Sequence, residues 1–189
     1  MSNIPIQLTL LRILAIPVFL VAYYLPFYWA HPMAAMIFVL AAVTDWLDGY
    51  LARSLKQATK LGAFLDPVAD KLLVGCAMVL VVGENYFPFL AIAAAIIVLR
   101  EIAISALREW MAEIGKRTSV AVTFLAKAKT FLQMTALVLL IWYTPSFSHA
   151  WVIWTGSLLL FIAAALTLWT MVIYLKIAWP DLTLSGETQ

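Results

Sequence analysis

Six apolar stretches, each about the length of a membrane crossing, divide the chain, and the charged residues gather at alternate ends of them. The stretches run roughly Leu8–Trp29, Met33–Arg53, Gly62–Val82, Phe87–Trp110, Phe124–Tyr143 and Ala150–Ala178. About 20 apolar residues in a helix cross the ~30 Å hydrocarbon core of a bilayer, so each stretch predicts a transmembrane helix. None shows the alternation of a lipid-facing barrel strand. His31-Pro32, Pro145 and Pro180 predict the ends of the first, fifth and sixth helices. Pro67 falls where the third begins, a position that tolerates its missing N–H. The pattern therefore predicts an all-α integral membrane protein, a bundle of six transmembrane helices, with residues 1–189 as a single domain.

Composition agrees. Hydrophobic residues make up 65% of the chain and charged ones 12%, about half the charged share of a soluble domain. The segment from Met1 to Gln7 has no charged n-region and no small-residue cleavage site, so the first stretch is expected to stay as a span. Cys76 is the only cysteine, which excludes a disulfide framework or a metal–thiolate cluster. The net charge of +2 says little by itself, and no nucleic-acid partner is expected.

The distribution of charge says more. The connections between spans one and two, three and four, and five and six contain no Lys or Arg, so all 12 basic residues lie toward the other face. The positive-inside rule then predicts cytoplasmic termini and cytoplasmic even-numbered loops. Aromatic residues such as Tyr28, Trp29, Phe89, Trp142 and Trp151 fall at the opposite ends, as interfacial belts do.

Against this background stand four aspartates, in the order Asp45-x2-Asp48-Gly49-x2-Ala52-Arg53-x8-Gly62-x3-Asp66-x3-Asp70. A carboxylate at the centre of a membrane helix costs roughly 2.5–3.5 kcal/mol, and close carboxylates repel one another. At 100° per residue, Asp45, Asp48, Gly49, Ala52 and Arg53 share an arc of about 140°, and Asp66 and Asp70 stack one turn apart on the next helix. Three readings follow from the residues themselves. The aspartates can be a polar seam neutralised by Arg53, Lys60 and Lys71. They can be an ion-transport site. Or they can hold two Mg²⁺ or Mn²⁺ ions, for which oxygen-only ligands are suited, as a clamp for phosphoryl transfer. In the last case Gly49 and Ala52 leave room for a large ligand, and Arg53 can fork onto phosphate oxygens.

The spacing resembles, at every fixed position, the signature of the CDP-alcohol phosphatidyltransferases. The resemblance extends to Asn3-Ile4-Pro5-x2-Leu8-Thr9-x2-Arg12-Ile13, to Phe64 through Leu73 and to Arg100-Glu101-x2-Ile104-Ser105-x-Leu107-Arg108-Glu109. These stretches are similar to the branch of the family that makes phosphatidylglycerophosphate in bacteria. The resemblance implies a six-helix catalytic domain that transfers a phosphatidyl group from CDP-diacylglycerol to sn-glycerol 3-phosphate, giving phosphatidylglycerophosphate and CMP. It implies two divalent ions, Mg²⁺ or Mn²⁺, on Asp45, Asp48, Asp66 and Asp70, with Asp66 and Asp70 catalytic and Asp70 the general base. It further implies CDP-diacylglycerol contacts from Gly49, Ala52, Arg53, Thr59 and Gly62, with Asn3, Pro5 and Thr9 on the cytidine side. A homodimer in the bacterial inner membrane is expected, its active site facing the cytoplasm.

The acceptor is a dianion and needs cations of its own. Arg100, Arg108, Lys127 and Lys129 lie at the inner ends of spans four and five and are the candidates. Each can equally be an ordinary positive-inside residue near anionic headgroups, except Arg100, which lies well inside its span and must face something polar. Glu101, Ser105 and Arg108 share a helix face, so Glu101 is expected to hold Arg108. His31 and His149 lie on the outer side and are assigned no catalysis. The sixth span reads as scaffold. Another phosphorylated polyol, such as inositol phosphate, is the alternative acceptor. Cation transport is the alternative class, but the outer halves of the spans carry no Asp, Glu, Lys or Arg to continue a path.

Overall fold

The computed structural model describes residues 4–54, 60–84, 86–113, 124–145 and 149–184. Among the described residues there are six α-helices and no strands: α1 (Ile4–Tyr23), α2 (Ala30–Ser54), α3 (Lys60–Gly83), α4 (Leu90–Glu113), α5 (Phe124–Trp142) and α6 (Ala150–Leu184).

The prolines decide where these differ from the hydropathy pattern. α1 stops at Tyr23 rather than Trp29, because Pro26 disfavours helical backbone at the residue before it. The chain then turns through short bonds, with Tyr24 N–H donating to the Val21 carbonyl (3.2 Å) and Ala30 N–H to that of Phe27 (3.0 Å). Pro32 does not close α1; it lies in the first turn of α2, where a missing N–H has no helical partner to lose. Pro67 lies inside α3, which starts at Lys60, so the carbonyl four residues earlier forfeits its helical bond beside Asp66. α6 runs past Pro180 to Leu184, 35 residues in all.

Two compact sets of segments make up the chain. In the first, Met1–Glu84 with Leu137–Gly156, α1 packs against both α2 and α3. Ala22, Ala34, Ala35, Ala69 and Ala77 are buried there, and small residues let membrane helices approach closely. Phe19 and Phe38 fill the space between, their ring centroids 5.8 Å apart. Tyr23 donates to Glu84 (3.2 Å), and the His31 ring meets the Ile141 carbonyl at 3.2 Å, which gives His31 a structural task. A Cβ on Gly156 would stand 2.9 Å from Leu140 Cγ, so only glycine lets the start of α6 come this close to α5. In the second set, Asn85–Ala136 with Ser157–Gln189, the core comprises Leu90, Ala93, Ile97 and Ile104 of α4 and Leu160, Ala163 and Thr167 of α6.

The outward faces are apolar as well. Leu14, Val21, Met36, Leu40, Ile92, Leu99, Trp154 and Trp169 are all exposed, far more apolar surface than a water-soluble monomer displays. Leu90–Ala112 and Ala150–Lys176 are long and apolar enough to cross a membrane, and Gln7–Tyr23 and Ala30–Asp45 are shorter apolar helical segments. Together these features describe a helical membrane protein.

Candidate functional site

Two polar side chains of α1 organise the carboxylates. Thr9 and Arg12 lie one turn apart, on one face of the helix, and each is only 1% exposed. The Thr9 hydroxyl donates to Asp66 Oδ1 at 2.6 Å, and Arg12 Nη1 lies 2.6 Å from Asp45 Oδ1. One helix thus fixes one carboxylate on each of its two neighbours, α2 and α3. The Asp45 side chain remains 45% exposed although its guanidinium partner is fully buried, so the site is open on the carboxylate side. Asp66 is half-buried, Asp70 exposed and Gly62 buried.

The polar-seam reading expected Arg53, Lys60 and Lys71 to neutralise the aspartates; the partner that the structure gives Asp45 is Arg12. The side chains of Asp48, Gly49, Ala52, Arg53 and Lys60 lie outside the described residues, as do Thr59 and Asn3 and the Pro5 ring. Among the described residues no three acidic, His or Cys side chains group closely enough to hold a metal ion. The donors that are described, accessible carboxylate oxygens of Asp45, Asp66 and Asp70, fit a hard divalent cation in type.

The four expected anion-binding cations do come together. Arg100, Arg108, Lys127 and Lys129 line one cavity of about 520 Å³ with Thr130, Phe131 and Tyr174. Tyr174 is its organiser. The guanidinium carbons of Arg100 and Arg108 lie 5.7 Å and 5.4 Å from the centre of its ring, within cation–π range, and Arg108 also donates to its hydroxyl at 3.1 Å. Arg100 donates to Thr170 (3.2 Å), whose hydroxyl in turn donates a hydrogen bond to the Thr167 carbonyl at 3.0 Å. Arg100 Nε is a buried donor without an acceptor among the described residues. Glu101 does not hold Arg108. Its carboxylate lies 3.8 Å from the buried Lys129, because residues seven apart stand about 10 Å apart along a helix axis while α5 brings Lys129 across. Nor is α6 mere scaffold, since Thr170 and Tyr174 both belong to it. Among the described residues, these four cations and the Glu101 carboxylate leave the cavity with an excess of positive charge.

Comparison with known proteins agrees with this chemistry. The family model for CDP-alcohol phosphatidyltransferases matches residues 2–176. A Salmonella typhimurium protein named CDP-diacylglycerol–glycerol-3-phosphate 3-phosphatidyltransferase is 54% identical over 180 residues, 95% of this chain and 97% of that one. The Escherichia coli protein of the same name is 53% identical with the same coverage. Because the matched stretch takes in the aspartates of α2 and α3 and the cation-lined cavity alike, this chain belongs to the CDP-alcohol phosphatidyltransferase family.

Proposed function

We propose that this protein transfers the phosphatidyl group of CDP-diacylglycerol to sn-glycerol 3-phosphate, producing phosphatidylglycerophosphate and CMP. The observation that carries the acceptor is the cavity lined by Arg100, Arg108, Lys127 and Lys129, which suits a small phosphate dianion. The likeness to relatives named for this reaction, at 53–54% identity over 95% of the chain, carries the donor.

In this reading Asp45, Asp48, Asp66 and Asp70 hold Mg²⁺ or Mn²⁺. When bound, the cations neutralise the pyrophosphate and the charge left on departing CMP. Asp70 accepts the proton of the attacking hydroxyl of glycerol 3-phosphate. That oxygen bonds to the lipid-linked phosphorus, and the bond from this phosphorus to the CMP oxygen breaks, so one phosphoester replaces one phosphoanhydride. Arg53, Thr59, Gly49, Ala52 and Gly62 receive the nucleotide and its phosphates. The guanidiniums held over Tyr174, with Lys127 and Lys129, fix the acceptor phosphate so that its hydroxyl is the mobile end.

The same reading has all six helices crossing a bacterial inner membrane, both termini and the reacting groups on the cytoplasmic side, and the whole chain acting as one catalytic domain within a homodimer. The one-sided distribution of Lys and Arg supports the orientation, and the family match across both compact sets supports the single domain.

The test is an assay of the purified protein with CDP-diacylglycerol, labelled glycerol 3-phosphate and Mg²⁺ or Mn²⁺, with inositol phosphate, serine and phosphatidylglycerol in parallel. Label entering lipid, abolished by chelator, is the expected outcome. CMP release only with another alcohol changes the acceptor; no CMP release with any acceptor overturns the reading.

A further inference from the structure

Arg12 is the largest charged side chain buried in the described residues, and nothing in the proposed chemistry uses it. Its guanidinium is fully buried, 2.6 Å from Asp45 Oδ1. Thr9, on the same face, gives Asp66 a neutral hydrogen bond. So of the two carboxylates that α1 holds, one keeps its charge and the other has it cancelled. A buried guanidinium is tolerated only when paired, and removing one partner of such a pair is strongly destabilising. Asp45 is meanwhile open to solvent on its other side, where an incoming cation can reach it.

We propose that Arg12 is the standing counter-charge of the aspartate cluster. It pairs with one oxygen of Asp45, leaves that carboxylate's open side to a divalent cation, and holds metal affinity down by offsetting the same negative charge. This rests on the reading of the aspartates as metal ligands. Arg12 is a positioning residue in this scheme, since it acts through Asp45 and touches no substrate.

The distinguishing readout is linkage between Arg12 and metal, because a cation that replaces the lost guanidinium must stabilise the variant more than the parent. Thermal unfolding of the full-length protein in detergent is followed in chelator and across a Mn²⁺ titration, for the parent, Arg12→Gln and Arg12→Lys. In chelator Arg12→Gln is expected to melt at least about 6 °C below the parent, and Arg12→Lys to lie nearer the parent. Saturating Mn²⁺ is expected to close more than half of the Arg12→Gln gap, with half-saturation at least about fivefold lower in Mn²⁺ than for the parent. A gap that is the same with and without Mn²⁺, or a variant that needs more Mn²⁺ than the parent, overturns the inference. So does failure of both variants to fold when prepared in Mn²⁺, which would make the guanidinium purely structural. A parent protein that Mn²⁺ does not stabilise at all overturns the metal reading itself, and this inference with it.

Discussion

Replacing Tyr174 asks whether the two guanidiniums of the basic cavity are held for an anion. Tyr174→Phe removes only the acceptor that Arg108 reaches at 3.1 Å. Arg108 is exposed, water takes over part of that bond, and the loss is about 0.5–1 kcal/mol. If the cost falls on acceptor binding, KM for glycerol 3-phosphate rises about two- to fivefold. Tyr174→Leu also removes the ring lying 5.7 Å and 5.4 Å from the two guanidinium carbons. Two cation–π contacts near the surface add about 0.5–1 kcal/mol each, which brings the rise in KM to roughly ten- to a hundredfold. The carboxylates are untouched, so kcat at saturating acceptor should change far less. The assay is initial-rate kinetics at fixed CDP-diacylglycerol with glycerol 3-phosphate varied, for the parent and both variants. A Leu variant with unchanged KM, or one that loses kcat alone, would refute the reasoning.

Other substitutions probe the rest of the site. Asp66→Asn and Asp70→Asn should each lower kcat by at least about a hundredfold in protein that still folds and inserts; near-normal turnover by either would contradict the carboxylate mechanism. Thr9→Val leaves the buried side of Asp66 without its 2.6 Å donor, a loss of about 1–3 kcal/mol, and should lower both the melting temperature and kcat while KM for glycerol 3-phosphate stays put. Gly156→Val drives a side chain into Leu140, only 2.9 Å from where its Cβ would start. Overpacking of this kind costs about 1–3 kcal/mol, which should appear as a lower melting temperature in detergent.

What could be read in advance divides along a physical line. Hydropathy located six helices because a bilayer-length apolar run has few alternatives, and the aspartate stripe was visible because helical spacing alone gathers Asp45 with Asp48 and Asp66 with Asp70. Proline was harder. The same ring can end a helix, open one or sit inside one, and Pro26, Pro32 and Pro67 took parts that only the neighbouring turns decide. The four cations of the cavity were legible as charges near helix ends. Their partners were not, because Arg100 with Thr170, Arg108 with Tyr174 and Lys129 with Glu101 each join different helices, and no periodicity along one helix encodes a contact to another. Arg12 was hidden for the same reason, since its carboxylate belongs to α2.

That the aspartates and the cations belong to different compact sets of segments has a consequence for how such a protein can change. The carboxylates belong to one compact set of segments and the basic cavity to the other. Under the proposed function, the groups that break the donor bond and the groups that choose the acceptor are therefore encoded by different stretches of the chain. Arg108, Lys127 and Tyr174, on which acceptor choice then rests, lie on other segments than Arg12, Thr9 and the carboxylates they hold. Selection can then explore new alcohols through α4, α5 and α6 while the reaction itself stays intact, which makes acceptor choice the more evolvable half of the enzyme.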